Sequence, residues 1–335
     1  MFFPFLLFTF LTFVHVHVRG LPSLCDPFVK SGLHRVQHQT YDKGPQWWLT
    51  SFRRSGNSWF RAIFETATGL ATSCLETEAS LPHFFNWDPA GYQNMSSLKQ
   101  LEKATLAHEL DKVYMVKSHD AIGDGRLFYK NTSASTRFFN AYPTLNHRPQ
   151  VILLVRHPLD AIRSLYHFRM ASRYAKKDED MHAFIHANHT SDEWTLTVKD
   201  ELRQWTTLLT RTLKRASKVA IIRYEDLRAL RTDPRYYEKE WSTLINWMHV
   251  SPLIKETERS SRLACAASIM GPLTDTFLYP VKSWSSVASW PTLQTFLKKR
   301  ALKELCFLGY RDPTDCPSAL GWGGRNSSIR FFFSI

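Results

Sequence analysis

No long Gly/Ser-rich or Pro-rich tract and no internal repeat interrupts this chain, so nothing marks a flexible linker or a repeat array. Its 335 residues suffice for one large α/β domain or two small ones. Cysteine is scarce. Cys25, Cys74, Cys265, Cys306 and Cys316 are the only five, and none has the spacing of a metal site, so no metal is expected. An odd number leaves one unpaired if disulfides form. Cys306 and Cys316 are the expected pair by proximity, and the pairing of the others stays open. Zinc-finger spacings and a basic heptad region are also missing, so no nucleic-acid partner is expected. Acidic residues are outnumbered, 30 against 43 Lys and Arg, for a formal charge of +13. That balance suits anionic ligands or surfaces, with most of the basic side chains simply facing solvent. The G-x-x-x-x-G-K-[ST] phosphate loop is absent as well. There is then no P-loop lysine and no Ser/Thr placed for magnesium.

What is present is a different anion-binding pattern. Trp47-Trp48-Leu49 leads into TSFRRSGNSW, Thr50 to Trp59. It reads as a buried strand, a tight loop with Ser55 and Gly56, and a helix opening at Asn57-Ser58. Such a turn aims backbone N–H groups and a helix N-terminus at one spot. Arg53 and Arg54 add fixed positive charge, and the guest this suits is a phosphate or sulfate. A second strand-to-helix junction follows in VILLVRHPLDAIRSLYHF, Val151 to Phe168. Its β-branched and aliphatic run fits a strand buried on both faces of a parallel sheet. Arg156 ends the strand, Pro158 suits the first helical turn, and Ser164 lies eight residues after Arg156. Between the two, Val113 to Asp120 is another buried-strand run, ending in Lys117-Ser118-His119. Ile221 to Leu227, IIRYEDL, is a fourth strand end.

In this order the four segments resemble the sulfotransferases that use 3′-phosphoadenosine 5′-phosphosulfate (PAPS). The resemblance covers roughly residues 45 to 310 and is strongest in the first three motifs. It implies PAPS as cosubstrate and no metal. Arg53, Arg54, Ser55, Gly56, Asn57 and Ser58 correspond to the 5′-phosphosulfate loop, Trp59 to an adenine-stacking residue, and Arg156 with Ser164 to the 3′-phosphate site. Tyr224 of the Tyr-Glu-Asp element is a further cosubstrate contact, the alternative being a strand end capped by acidic residues. A Trp on an amphipathic helix is equally well a core residue. His119 corresponds to the catalytic base, since imidazole titrates near the operating pH. Arg54 stands where many relatives carry a lysine. It is expected to neutralise charge on the transferring group, but it cannot donate a proton. Lys117 is expected to help hold the sulfuryl oxygens.

The fold expected is α/β, a three-layer sandwich with a central parallel sheet flanked by helices, similar to P-loop nucleotide triphosphatases. Strand-like runs near 46–52, 112–117, 150–155 and 218–223 alternate with helical segments. The clearest helix, Asp192 to Ala216, places Trp194, Val198, Leu202, Trp205, Leu209 and Leu213 at three- and four-residue intervals. Further helices are expected over 235–249, 253–267 and 291–306. The stretches 75–105 and 170–192 read as substrate-side insertions.

The organisation expected is a targeting segment over 1–20, a lead-in over 21–44, the sulfotransferase domain over 45–316 and a tail over 317–335, open to disorder. Phe2 to about Val14 is apolar but short for a span of about twenty residues. It resembles a secretory signal, with Gly20 at the cleavage site, although the usual basic n-region is missing. A type II signal anchor in the membrane is the alternative. N-x-[ST] sequons at Asn94, Asn131, Asn188 and Asn326 add weak support for the ER and Golgi lumen or secretion.

Three features depart from the family's pattern. Arg53 replaces the proline common before the basic residue. The late R-K-G-x-x-G motif of the cytosolic branch is absent, and Gly321 to Arg325 is a poor substitute. Arg262-x-Leu-x-Cys-Ala266 and Cys306-x-x-Gly-Tyr310 look more like secretory-pathway carbohydrate sulfotransferases, in particular the sialic-acid-directed group with WSC modules. No WSC module is present. The acceptor implied is a hydroxyl, in the first place of a carbohydrate. Competing readings are a catalytically silent protein that binds anionic glycans on the same fold, and a P-loop-like small-molecule kinase. The second lacks its Lys and its magnesium-binding Ser/Thr.

Overall fold

A computed structural model describes residues 46–70, 72–74, 114–119, 149–174, 192–229, 234–277, 291–310, 316 and 329–333. They form an α/β domain, a central sheet flanked by helices. β1 (Trp47–Ser51), β2 (Thr72–Cys74), β3 (Met115–Ser118), β4 (Gln150–Val155), β5 (Lys218–Arg223) and β6 (Ile329–Phe333) make one six-stranded sheet in the order β2-β3-β1-β4-β5-β6. The first five pair in parallel, with Trp48 opposite both Val116 and Val151, and Val151 opposite Val219. β6 pairs antiparallel with β5.

The helices are α1 (Asn57–Thr68), α2 (Pro158–Tyr174), α3 (Asp192–Arg215), α4 (Tyr224–Ala229), α5 (Pro234–Trp247), α6 (Glu256–Phe277) and α7 (Pro291–Phe307). Their apolar stripes divide between the two sheet faces. Phe60, Ile63 and Phe64 of α1 pack with Trp241 and Leu244 of α5 and Leu263 of α6 over Leu49, Ile152 and Ile222. Ile162 of α2, Trp205 and Leu209 of α3 and Leu305 of α7 pack over Val116, Leu153 and Ile221 on the opposite face. Strands covered on both faces must be apolar throughout, and Val151 to Val155 are all buried.

α1 is held firmly at its far end. Gly69 caps it in the left-handed conformation and donates its N–H to the Glu65 carbonyl at 2.7 Å. A Cβ on Gly69 would lie 2.8 Å from the guanidinium carbon of Arg262, which also donates to the Thr66 carbonyl at 3.5 Å. A cation there suits the negative end of the helix dipole. Glu65 is buried and accepts from the Thr72 N–H at 3.1 Å and from the Thr72 hydroxyl, while Arg61 Nε donates to that hydroxyl at 2.8 Å. Burial raises the Glu65 carboxyl above its ordinary value, and Arg61 and Thr72 pull the other way. This knot pins α1 to the start of β2.

Two strands were not expected, and the wholly parallel sheet is corrected to a mixed one. β2 has three residues and no apolar run to announce it. β6 falls in the segment read as a tail. Its Phe331 packs on Trp247 at 4.6 Å and its Phe332 on Phe307 at 5.6 Å, one on each face, so the strand also covers the open edge of β5. α6 begins three residues later than expected and extends to Phe277. Residues 1–45, the stretch 75–105, residues 175–191, the four sequons and Gly321–Arg325 lie outside the described residues. Among the described residues no helix is long and apolar enough to cross a membrane.

Cys306 and Cys316 form the expected disulfide, and Cys265 is also disulfide-bonded. The first closes a loop with a sequence separation of 10, for which loop entropy suggests roughly 2–3 kcal/mol. Replacing both cysteines by alanine should lower the unfolding free energy by about that amount in a urea titration. An unchanged midpoint would show that the bridge does not constrain the unfolded chain.

Candidate functional site

The site lies along the C-terminal ends of four adjacent parallel strands, β3, β1, β4 and β5. β1 sends the chain to α1 on one face of the sheet, and its neighbour β4 sends it to α2 on the other. A crevice opens where such connections part, and ligands of open α/β sheets bind there.

The loop after β1 is built for an anion. Phe52 anchors it in the core, and the Ser55 N–H closes a turn on the Phe52 carbonyl at 3.2 Å. Arg54 (φ 64°) and Gly56 (φ 84°) are both left-handed. That conformation is uncommon for a side chain as large as arginine and marks a constrained loop. Gly56 is the N-cap of α1. It has no side chain to cap the first N–H groups, and the first turn carries no acidic residue. The first turn of α1 thus sets no acidic charge of its own against the positive end of the helix dipole. Ser55 Oγ is fully buried with no hydrogen-bond partner among the described residues. A buried orphan hydroxyl is costly, and an anion at this helix N-terminus would satisfy it.

Tyr224, at the end of β5, fills the space under the loop. A Cβ on Gly56 would lie 2.5 Å from its Cδ2, so only glycine fits. The Trp59 ring meets the Tyr224 ring edge-on at 5.7 Å, and the Arg156 guanidinium lies 4.8 Å from its centroid. Arg156 Nη1 also donates to the Arg54 carbonyl at 2.9 Å, joining the loops after β1 and β4. From the other side, Arg54 Nε donates to Ser164 Oγ on α2 at 3.3 Å. Arg54, Gly56, Arg156, Ser164 and Tyr224 are thus one contiguous group.

His119 follows β3 and joins the same group through Ser51. Its Nδ1 lies 2.9 Å from the Ser51 carbonyl oxygen, which can only accept. Nδ1 therefore carries the proton, and Nε2 carries the lone pair in the neutral ring. Asn57 Nδ2 donates to Ser51 Oγ at 3.0 Å and lies 3.4 Å from His119 Nε2. Ser51 was not singled out in the sequence, because a serine at a strand end carries no signal of its own. Lys117 sits two residues earlier on β3 and is 0 % exposed, whereas His119 is half-buried.

Two of the expected residues are turned elsewhere. Arg53 donates to Gln204 Oε1 at 2.8 Å and pairs with Glu201 at 3.4 Å, which ties the loop to α3. Trp59 is 3 % exposed within the core on the α1 face. The side chain of Ser58 lies outside the described residues. Among the described residues no group of three His, Cys, Asp or Glu side chains could hold a metal ion.

Chemically, the crevice offers one uncapped helix N-terminus, two arginines, a buried hydroxyl and an imidazole with a defined tautomer. This set can hold a ligand bearing two anionic groups and accept a proton beside it. A family model described as "Sulfotransferase domain" matches residues 44–236, more than half of the chain. No curated protein and no solved structure matches.

Gly56→Ala combines a left-handed φ with a collision against Tyr224. It should destabilise the protein by roughly 1–3 kcal/mol and weaken anion binding at the loop. Thermal unfolding checks the first effect, and an unchanged melting temperature would contradict the packing described.

Proposed function

Because the chain belongs to the sulfotransferase family, and so transfers a sulfuryl group from a sulfonate donor to a hydroxyl acceptor, we propose that its donor is PAPS and its acceptor a glycan. The observation that carries this reading is the bond from Arg156 to the Arg54 carbonyl. It puts a second arginine beside the helix N-terminus that suits a first phosphate. The residues fit the donor: Ser55 Oγ is buried with no hydrogen-bond partner among the described residues, and Gly56 caps α1 with no side chain to occupy its first N–H groups.

When bound, PAPS supplies the activated sulfuryl group and leaves as adenosine 3′,5′-bisphosphate. The N–H groups of Ser55 to Ser58 and the Ser55 hydroxyl hold the 5′-phosphate. Arg156 and Ser164 hold the 3′-phosphate, Arg156 remaining stacked on Tyr224. Arg54 neutralises negative charge where it develops, and Lys117 supports it from β3. His119 Nε2 takes the proton from the acceptor hydroxyl, its ring oriented by the Ser51 carbonyl. Trp59 acts from the core, where its ring braces Tyr224 edge-on. Arg53 serves the same loop indirectly by fixing it to α3.

The helices on both sheet faces support a three-layer fold similar to P-loop nucleotide triphosphatases. We place the enzyme among secretory-pathway carbohydrate sulfotransferases, near the sialic-acid-directed group. Disulfides persist in oxidising compartments, and Cys265 and Cys306 are both bridged. Arg262 of the R-x-L-x-C-A stretch supports α1 from its far end. With the apolar N-terminus as signal or anchor and four sequons, these features support the ER and Golgi lumen.

Three outcomes are expected. In calorimetry, Arg156→Ala should bind adenosine 3′,5′-bisphosphate roughly ten- to a hundredfold more weakly, as expected for loss of a charged hydrogen bond. Undiminished affinity would remove Arg156 from the site. His119→Ala should cut turnover by about 10²–10⁴-fold with bisphosphate affinity nearly unchanged, and near-normal turnover would require another base. Expressed in a secretory host, the protein should lose mass on glycosidase treatment. Unglycosylated protein in the cytosol would contradict the luminal assignment.

A further inference from the structure

We propose that Glu225 and Tyr310 are positioning residues for Arg156, and that selectivity for the 3′-phosphate depends on them. The inference rests on the reading of Arg156 as a 3′-phosphate ligand. It goes beyond that reading in locating what holds the arginine in place.

The peptide unit between Arg156 and His157 is gripped from both sides. Its carbonyl accepts from Trp205 Nε1 of α3 at 3.3 Å, and its N–H donates to Glu225 Oε1 of α4 at 2.8 Å. This unit lies just past the end of β4 at Val155, and Pro158 offers no N–H to compete for Glu225. With the peptide plane fixed, the direction in which Arg156 leaves the backbone is fixed too. Its guanidinium then reaches both the Arg54 carbonyl and the Tyr224 ring.

Glu225 is itself held. Its other oxygen, Oε2, accepts from the Tyr310 hydroxyl at 2.7 Å. Desolvation and then the Glu225 carboxylate push the Tyr310 hydroxyl well above its ordinary value, so it stays a donor. The Tyr310 ring packs edge-on against the His157 ring at 5.3 Å, with the Arg223 guanidinium 5.6 Å from its centroid. Arg223 is fixed in turn by two bonds of 2.6 Å to Asp226 and by the carbonyls of Leu308 and Gly309. Tyr310 follows α7, where its N–H returns to the Leu305 carbonyl at 2.9 Å and Cys306 is bridged to Cys316. A relay thus runs from the disulfide-closed end of α7 through Tyr310 and Glu225 to the backbone of Arg156.

The readout is the ratio of affinities for adenosine 3′,5′-bisphosphate and adenosine 5′-phosphate, measured by calorimetry on the full chain. A merely structural role would lower both affinities together. The wild type should prefer the bisphosphate by roughly ten- to a hundredfold. Glu225→Ala should reduce that preference to the level of Arg156→Ala and leave monophosphate affinity unchanged. Glu225→Gln, whose amide oxygen can still accept from His157, should retain most of it. Tyr310→Phe keeps the ring and loses the hydroxyl, and should lower the preference by roughly threefold to fivefold. A folded Glu225→Ala with wild-type preference, or with both affinities reduced equally, overturns the proposal. Should Glu225→Ala fail to fold, an unchanged preference in Tyr310→Phe overturns it. A wild type without preference sinks the 3′-phosphate reading of Arg156 itself, which separates that failure from failure of the relay.

Discussion

The parting of the chain at β1 and β4 is the constraint on which the site depends. Two neighbouring parallel strands deliver their helices to opposite faces of the sheet. The loops that follow them are therefore left side by side at the mouth of a crevice. One loop presents a helix N-terminus, the other an arginine, and the bond from Arg156 to the Arg54 carbonyl closes the gap. Positive charge is gathered here from separate elements, so an anionic ligand meets a prearranged set of donors and little reorganisation is needed on binding.

A helix N-terminus can hold an anion only if the helix does not yield. α1 is clamped at its far end by Arg262 and by the Arg61–Glu65–Thr72 knot. At its near end, Gly56 rests on the Tyr224 ring with no room for a side chain. Tyr224 also carries the Arg156 guanidinium. One aromatic ring thus sets the height of the anion loop and the position of the second arginine. This physical reason for a tyrosine at the end of β5 needs no direct contact with a ligand.

Much of this was legible in the sequence. β4 and β5 announce themselves as unbroken apolar runs because both their faces are covered, and α3 does so through its three- and four-residue spacing. Arg54, Gly56, Arg156 and Ser164, which the structure brings together, carry local signals that lie at the ends of such runs. What escaped depends on partners distant in the chain. Arg53 and Arg54 look equivalent as letters, yet one engages Gln204 and the other Ser164. Glu225 reads as an ordinary acidic cap until Tyr310, 85 residues later, is seen on its second oxygen. β2 is too short to carry a pattern. β6 follows a glycine-rich stretch that reads as a tail, and only the open edge of β5 explains its place.

The central claim is that one bisphosphate spans the crevice between the loops after β1 and β4. A crystal structure of the protein with adenosine 3′,5′-bisphosphate tests it most directly. The account predicts the 5′-phosphate on the N–H groups of Ser55 to Ser58, with Ser55 Oγ now bonded, and the 3′-phosphate on Arg156 and Ser164. A nucleotide bound elsewhere, or one whose 3′-phosphate faces solvent while Arg156 stays on the Arg54 carbonyl alone, would contradict it.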